Sequence, residues 1–383
     1  MSQLPHGGVL INRYTDPSLA DSLTERCGRL KSWQLSDSEL CDLEMIASGA
    51  YSPLTGFMGR SDFKAVLDNH RLSKGLPWTV PIHITVPVSF ASSIRSSEEI
   101  ALLDEFRKPV AILSVSDIFE YNALEYAHKV FKTTDVKHPG VSALYAMEPR
   151  MLAGEVTVLR RRSHRTFNRY RLEPSEIRDL IQDRKWRTTA GFASVETVHR
   201  REEYQIKCVM ETVDGLLMHP FVGKAAPGEI DPEVRMKCIE ALVDGYFAKD
   251  RVLLAALPGR PRAMGGREAV FQAIVHKNFG CTHFIAGSDY TAQERSEARD
   301  LISRFEAKEL GITPMFVDDA FYCKACGTMA TERTCPHTGV GRLSFSGAAI
   351  QDLLRKAKPL PLECTRAEIG LIMLEAVRDA KKP

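Results

Sequence analysis

The fold of this chain is decided by residues 252–286, VLLAALPGRPRAMGGREAVFQAIVHKNFGCTHFIA. This stretch predicts a strand at Val252–Ala256, a helix at Arg267–Asn278 and a strand at His283–Ala286. The alternation continues on both sides, with further strands predicted at 188–192, 215–218 and 312–317 and further helices at 202–213, 231–245 and 295–305. Strands that alternate with helices form a parallel sheet covered on both faces, which places the chain in the α/β class.

The part of the chain before this stretch has a different pattern. Residues 37–48 are periodic like a helix, and Ser36 and Glu39 have the spacing of a capping box at its start. Alternation from Trp78 to Val86 predicts a half-buried strand, with more strands at 111–115 and 156–159 and, near the C-terminus, helices at 347–357 and 366–380. We predict domains at 1–168, 169–322 and 323–383.

Composition narrows the class of protein. The 383 residues include 51 Lys and Arg against 49 Asp and Glu, a net charge of +2. Bulk charge therefore gives no reason to expect nucleic acid or an acidic membrane as a partner. There is no apolar run long enough to cross a bilayer, and the first residues lack the pattern of a signal peptide, so we expect a cytoplasmic protein.

One basic run and one cysteine cluster stand out. Residues 160–165, RRRSHR, are either an anion-binding patch or a solvated boundary segment, and the sparse aromatic content favours the boundary segment. Six of the nine cysteines are scattered and are expected to be small buried side chains. Two thiolates on one turn followed by two ligands about ten residues later predict a structural zinc site, formed by Cys323, Cys326, Cys335 and His337. The alternative is three free thiols in a surface loop.

Ordered motifs lie along the chain at 5–8, 12–13, 49–58, 138–141, 219–227, 257–258, 264–269, 277–285 and 346–347. Together they resemble ATP sulfurylase (sulfate adenylyltransferase). The resemblance implies a PUA-like β-rich N-terminal domain, a Rossmann-like nucleotidylyltransferase domain and a small C-terminal α/β segment. It also implies an enzyme that joins ATP and sulfate to give adenylyl sulfate and pyrophosphate, with Mg²⁺ carried by the nucleotide. Members of the family commonly form homo-oligomers, and some carry a structural Zn²⁺ in the stretch that matches the cysteine cluster.

The chain departs from the family where chemistry is expected. The family turn reads Gln-Thr-Arg-Asn-Pro-x-His-x-x-His, and residues 193–202 here read ASVETVHRRE, so that His199 alone matches. The family loop Gly-Arg-Asp-His-Ala-Gly-Pro-Gly is replaced at 287–294 by GSDYTAQE. The Ser-Gly-Thr-x-x-Arg pattern near the C-terminus is also changed, to SGAAIQ at 346–351.

These changes alter the charge of the expected pocket. Compared with the family pattern, two arginines are absent and two carboxylates, Glu196 and Glu202, are present. The formal charge of the pocket is thus more negative by about four units, of which Arg201 could restore one. One like-charge pair at about 4 Å costs roughly 4 kcal/mol at an effective dielectric constant of about 20. Loss of one donor to developing charge typically costs about 10²–10³ in rate. We therefore expect efficient sulfate adenylylation to be lost, unless an arginine from another loop, such as Arg260 or Arg262, compensates.

The site residues are predicted from these motifs. A helix that begins after a strand favours an anion at its N-terminus, and His199 lies in that turn. The predicted catalytic residues are Glu196, His199, Glu202 and Asp289. The predicted nucleotide-binding residues are His219, Gly223, Met264, Gly265, Gly266, Arg267, Gly287 and Ser288. The oxyanion or phosphate candidates are Arg200, Arg201 and Arg262. The competing interpretations are a packing role for His199, plain turns at the glycines and solvent-facing charges for the two glutamates.

Three functional hypotheses follow. In the first, the chain is a divergent enzyme of this family that binds ATP or adenylyl sulfate and uses a substrate other than inorganic sulfate. In the second, it carries out the conventional sulfate adenylyltransferase reaction with a rearranged pocket. In the third, it is a non-catalytic nucleotide-binding or regulatory homologue.

Overall fold

A computed structural model describes residues 3–226, 229–287 and 290–379. Its N-terminal part is built on a mixed sheet with the strands β1 (Lys31–Gln34), β2 (Gly56–Phe57), β3 (Ile84–Val86), β4 (Glu99–Leu103), β5 (Pro109–Glu120) and β6 (Arg150–Val158). The helices around it are α1 (Ala20–Cys27), α2 (Asp37–Ala47), α3 (Arg60–Asn69), α4 (Val88–Ser93), α5 (Ala123–Phe131) and α6 (Pro139–Tyr145). The order is β1-β4-β5-β6-β2, with β3 also paired to β6, and β1 is parallel to β4 while the other pairs are antiparallel.

The second part contains the predicted parallel sheet. Its strands are β7 (Thr189–Phe192), β8 (Gly215–Met218), β9 (Val252–Leu254), β10 (His283–Ala286) and β11 (Thr313–Phe316), and its helices are α7 (Pro174–Asp183), α8 (Arg200–Met210), α9 (Pro232–Tyr246), α10 (Gly266–Asn278), α11 (Ala292–Ile302) and α12 (Ala307–Leu310). The order is β11-β10-β7-β8-β9, and every pair is parallel. Neighbouring side chains of a strand face opposite sides of the sheet. Phe284 accordingly packs in one hydrophobic cluster and Ile285 in another.

The last part is small. It has a three-stranded antiparallel sheet within the described residues, β12 (Phe321–Cys323), β13 (Thr328–Ala330) and β14 (Arg342–Leu343), followed by α13 (Gly347–Arg355) and α14 (Ala367–Asp379). Short 3₁₀ turns lie at Pro17–Leu19, Asn168–Tyr170 and Lys249–Arg251. In the part of the chain that the structure describes, no helix is both long and apolar enough to span a membrane.

Local sequence signals explain several element boundaries. Ser36 Oγ accepts from the Glu39 backbone N–H while the Ser36 N–H donates to the Glu39 carboxylate at 2.9 Å, the predicted capping box of α2. One strand is shorter than predicted. Residues 78–83 are buried or partly buried but lie outside β3, and Pro81 in their middle has no N–H to give to a ladder.

The N-terminal and parallel sheets share one hydrophobic core. The Trp78 ring packs edge-on against Phe271 of α10, with 5.3 Å between ring centroids. The Arg267 guanidinium, also from α10, donates to the carbonyls of Val66, Leu67 and Lys129 at 3.0–3.1 Å. Because α10 packs into both parts of the molecule, it fixes the position of the N-terminal part relative to the parallel sheet.

The basic run at 160–165 is engaged in ion pairs. Arg160 pairs with Asp21, Arg161 with Glu173 and Glu176, and Arg162 with Glu105. These contacts favour the boundary-segment interpretation, because each of these arginines is matched by carboxylates of this chain.

Candidate active site

A small cavity lies at the N-terminus of α8, beyond the carboxyl end of β7. Glu196, His199, Arg201 and Glu202 form one side of it. The volume is about 20 Å³, enough for about one water-sized group. The structure therefore brings together three of the four predicted catalytic residues and one of the three predicted oxyanion candidates.

The opposite wall comes from the C-terminal part of the chain. The residues there are Ala320, Met329, Leu343, Ser344, Phe345, Gly347, Ile350, Glu363 and Cys364. Ser346-Gly347 stands out in the sequence as part of a changed motif, but nothing in the sequence places Glu363 or Met329 beside His199. Contacts between segments more than a hundred residues apart leave no local pattern.

His199 is the N-cap of α8 and is almost buried, with 9% of its surface exposed. His199 and Glu202 form a capping box in which the ring faces the Glu202 backbone N–H, although Nδ1 makes no hydrogen bond of ordinary geometry within the described residues. Burial lowers the pKa of His199, and the nearby negative Glu202 only partly opposes this effect. The imidazole is therefore neutral near pH 7 and can accept a proton.

The two glutamates have different environments. Glu202 is 5% exposed, accepts from the His199 backbone N–H at 3.0 Å and pairs with Arg201 Nε at 2.7 Å. The Glu196 side chain is exposed, yet the protein around its carboxylate raises its pKa, and the charge of Glu202 adds to this rise. A Cβ on Gly347 would lie 3.4 Å from Glu196 Oε1, so the carboxylate sits against the N-terminus of α13.

The other two arginine candidates are elsewhere. Arg200 points away from the cavity and donates to the Leu362 carbonyl at 3.0 Å. Arg262 forms an ion pair with Asp42 of α2 and lines a different cavity. Arg262 therefore does not supply positive charge to this cavity, because a buried carboxylate already holds its guanidinium.

Two predicted nucleotide-binding side chains lie in the protein interior. His219 is fully buried, with its ring 4.6 Å from that of Phe279 and 5.3 Å from that of His276, centroid to centroid. Burial holds the pKa of His219 well below its usual value. The Arg267 guanidinium donates hydrogen bonds to backbone carbonyls of the N-terminal part, as described above. The sequence indicates that both residues lie near the ends of strands, but it does not show that their side chains are packed in the interior.

The predicted glycines mark close backbone approaches. A Cβ on Gly223 would lie 2.4 Å from the Gly259 carbonyl, and one on Gly266 would lie 2.6 Å from the Ala298 nitrogen. Gly265 has φ +56°, and the neighbouring Met264 is buried. Packing alone requires Gly223 and Gly266, so neither glycine by itself indicates a nucleotide.

The loop after β10 is described only in part. A Cβ on Gly287 would lie 3.2 Å from Gln205 Oε1 of α8. Ser288 and Asp289, predicted as nucleotide-binding and catalytic respectively, lie outside the described residues.

The predicted metal ligands converge. One ligand atom from each of Cys323, Cys326, Cys335 and His337 lies within 4.8 Å of the others. Cys326 Sγ is 3.7 Å from Cys335 Sγ and 3.3 Å from His337 Nδ1. Tetrahedral Zn²⁺ with bonds of about 2.3 Å to sulfur needs sulfur atoms about 3.8 Å apart, so the set fits zinc. Four protein ligands would close the site, as in structural and not catalytic zinc centres.

Comparison with known proteins agrees with this architecture. The family model described as PUA-like domain matches residues 3–161, and the one described as ATP-sulfurylase matches residues 168–376. The fold and these matches define a nucleotidyltransferase enzyme with a PUA-like N-terminal domain. The chain belongs to the ATP sulfurylase family.

Curated relatives extend over the whole chain. A protein named sulfate adenylyltransferase from Symbiobacterium thermophilum is 40% identical, covering 99% of this chain and 97% of its own length. One of the same name from Synechococcus sp. (strain JA-3-3Ab) is 39% identical over 99% and 98%. Among solved structures, a hexameric APS kinase from Thiobacillus denitrificans has a TM-score of 0.80 and 28% identity, covering 97% of this chain and 68% of that one.

Proposed function

We propose that this chain transfers the adenylyl group of ATP to an acceptor other than free sulfate, with the reacting group of the acceptor held in the cavity beside His199. One observation carries the choice of acceptor. The cavity walls hold three carboxylates, from Glu196, Glu202 and Glu363, against the guanidinium of Arg201, which is paired with Glu202. A sulfate dianion there would meet net negative charge. Each like-charge contact at about 4 Å costs roughly 4 kcal/mol at an effective dielectric constant of about 20.

A neutral nucleophile suits these residues better. An acceptor hydroxyl would attack the α-phosphorus of ATP. The new O–P bond forms as the bond from that phosphorus to the bridging oxygen breaks, and pyrophosphate leaves with the electron pair. The hydroxyl proton passes to a base, and two groups are available. Desolvation by the surrounding protein raises the pKa of the Glu196 carboxylate, and burial lowers the pKa of His199, which keeps its imidazole in the neutral form. Magnesium enters as part of the nucleotide complex.

The conventional reaction is a second candidate. Its support comes from relatives, since proteins 38–40% identical over almost the whole chain carry the name sulfate adenylyltransferase. Their names favour the conventional reaction over a changed acceptor. Against it stands the charge of the cavity, because sulfate would need cations beyond Arg201 to be held there.

Pyrophosphate release separates the two candidates. The protein is supplied with ATP, Mg²⁺ and sulfate, and binding of adenylyl sulfate is measured by calorimetry. We expect nucleotide binding with sulfate-dependent release far below the ordinary range of about 1–10³ s⁻¹. Sulfate turnover within that range would establish the conventional reaction instead. Absence of any heat with ATP or adenylyl sulfate would favour a non-catalytic homologue.

We also propose that the cysteine cluster holds a structural Zn²⁺. The fit of its four ligand atoms to a tetrahedral site supports this assignment. The sheet that carries the cluster also supplies Met329 and Leu343 to the cavity wall, so that the metal would keep this wall in place. Metal analysis of the purified protein should find stoichiometric zinc, and a metal-free protein with unchanged stability would contradict the proposal.

The remaining proposals concern organisation and assembly. We propose the domain limits 1–168, 169–322 and 323–383, a cytoplasmic location and a homo-oligomer. The similar solved structure from Thiobacillus denitrificans is a hexamer, which supports assembly of this chain as well. Light scattering on the eluting protein measures the mass directly, and a mass of one 42.8 kDa chain would contradict oligomer formation.

A further inference from the structure

Arg235 is a buried arginine near the N-terminus of α9, beside the loops at the carboxyl ends of β7 and β8. The residue is 3% exposed although it carries a guanidinium. One terminal nitrogen donates to the Val195 carbonyl, and the other donates to the Phe221 carbonyl at 2.7 Å. Burying a charge is costly unless it is paired or hydrogen-bonded, so these two bonds help the guanidinium to lie there.

The two carbonyls belong to segments outside the helices and strands. Val195 lies in the turn between β7 and α8, and Phe221 lies in the loop after β8. The segments also contact each other directly, since the Phe221 N–H donates to the Ser194 carbonyl at 3.0 Å. Within the turn, the Glu196 N–H donates to Ser194 Oγ at 3.0 Å. The planar guanidinium therefore completes a link between the two segments.

The carboxylates on the approach to α9 are engaged elsewhere. Glu229 pairs with Arg260, and Asp231 accepts from a backbone N–H as the N-cap of α9. Desolvation raises the pKa of Glu196, and the charge of Arg235 is close enough to act against this rise. The hydrogen bonds of Arg235 are thus directed at the backbone, which is how a side chain fixes the conformation of a turn.

We infer that Arg235 is a positioning residue of the candidate active site, because its guanidinium holds the turn that carries Glu196 and His199 against the loop after β8. The Val195 carbonyl directly precedes Glu196 in the chain, and the turn ends at His199, the N-cap of α8. The inference rests on the proposed function only in treating this turn as part of an active site. That Arg235 fixes the turn is measurable without any substrate.

Hydrogen–deuterium exchange of the full-length protein, read by mass spectrometry, measures how firmly the turn is held. Arg235→Met removes the charge and the donors, whereas Arg235→Lys keeps the charge but replaces the planar fork by a compact ammonium. We expect exchange in the peptide that covers residues 193–199 to rise about tenfold or more in Arg235→Met, as the loss of one hydrogen bond to a charged donor provides. Arg235→Lys should restore part of the protection, because an ammonium lacks the fork that bridges both carbonyls.

Arg251→Met is the matched control. Arg251 also donates to backbone carbonyls, those of Met210 and Asp214 at 2.9–3.0 Å, but at the amino end of β8, away from the candidate site. Its loss should speed exchange around residues 210–214 and leave 193–199 unchanged. As a second readout, modification of His199 by diethyl pyrocarbonate, relative to the exposed His128, should become faster in Arg235→Met and not in Arg251→Met.

The outcomes separate the role of Arg235 from the proposed reaction. Unchanged exchange at 193–199 in Arg235→Met, or an equal rise in Arg251→Met, would overturn the positioning role. Circular dichroism shows whether each variant is folded, and if Arg235→Met does not fold, Arg235→Lys decides by the same comparison. Calorimetry of the wild type with α,β-methylene-ATP tests the proposed function separately, since absence of binding would overturn adenylyl transfer and leave the contact of Arg235 with the turn standing.

Discussion

Arg262 is the cation that lies between two buried carboxylates, and its loss should be the most destabilising change at the boundary between the two large parts of the molecule. Its guanidinium pairs with Asp42, which is 3% exposed, and donates to the Tyr51 hydroxyl at 3.3 Å. Its backbone N–H donates to Glu268 at 2.9 Å, and Glu268 is also 3% exposed. Arg262→Met therefore leaves two buried carboxylates without this cation.

The expected magnitudes differ for the two partners. Removing one member of a buried ion pair costs about 3–5 kcal/mol, and Arg262→Met should lie in this range. Asp42→Asn leaves Arg262 close to Glu268, so that no buried charge lacks a partner. The cost should be about 1–3 kcal/mol, which is typical of a buried polar group whose hydrogen bonds are incompletely satisfied. Arg260→Met is the control, because Arg260 is one-third exposed and pairs with an equally exposed Glu229. We expect it to cost about 0–1 kcal/mol.

The loss should also depend on pH. Burial raises the pKa of both Asp42 and Glu268. A carboxyl whose pKa is raised on folding stabilises the folded state below its unfolded pKa of about 4, and this contribution is lost as the pH rises through the folded pKa. The loss of unfolding free energy caused by Arg262→Met should therefore become smaller as the pH is lowered from about 8 to about 5. Urea unfolding of the three variants and the wild type at both pH values measures this. A deficit in Arg262→Met that is no larger than in Asp42→Asn, or that is independent of pH, would refute the reasoning.

Three further predictions concern other parts of the molecule. Burial lowers the pKa of His276 to about 4 and that of His219 well below 6.5, so the free energy of unfolding should fall as the pH drops from about 6.5 toward 4; a flat profile in acid urea titrations would contradict this. Gly191→Ala places a Cβ 2.3 Å from the His276 ring and should cost about 1–3 kcal/mol by overpacking, and an unchanged melting temperature would count against it. Cys335→Ser should lower both zinc content and melting temperature. The same change at Cys208, one of the six scattered cysteines and exposed where burial was expected, should leave zinc content unchanged.

The sequence was most informative where the signal is local. The alternation at 252–286 predicted β9, α10 and β10 in order, and the Ser36–Glu39 spacing predicted the start of α2. The spacing of the cysteine cluster also predicted a convergence that the structure confirms. Each of these signals depends on residues close together along the chain.

The sequence was least informative where packing between distant segments decides the role of a residue. His219 and Arg267 follow the family motifs, yet their side chains serve the interior, and no local pattern separates that role from ligand binding. The far wall of the cavity, including Glu363, comes from a segment remote in the chain. The sequence of the turn predicted that Glu196 and Glu202 lie near His199. It did not predict the volume of the cavity between these residues and the C-terminal part.

The hydrogen bonds of α10 have a consequence for exchanging modules between members of this family. Arg267 and Asn278, at opposite ends of the helix, bond to backbone carbonyls of the N-terminal half, Asn278 to those of Ala50 and Ser52 at 2.9–3.0 Å. A chimaera joined near residue 168 would place a foreign helix against these carbonyls. Hybrids in which α10 and the loops carrying these carbonyls come from the same parent should be soluble. Hybrids in which they come from different parents should aggregate.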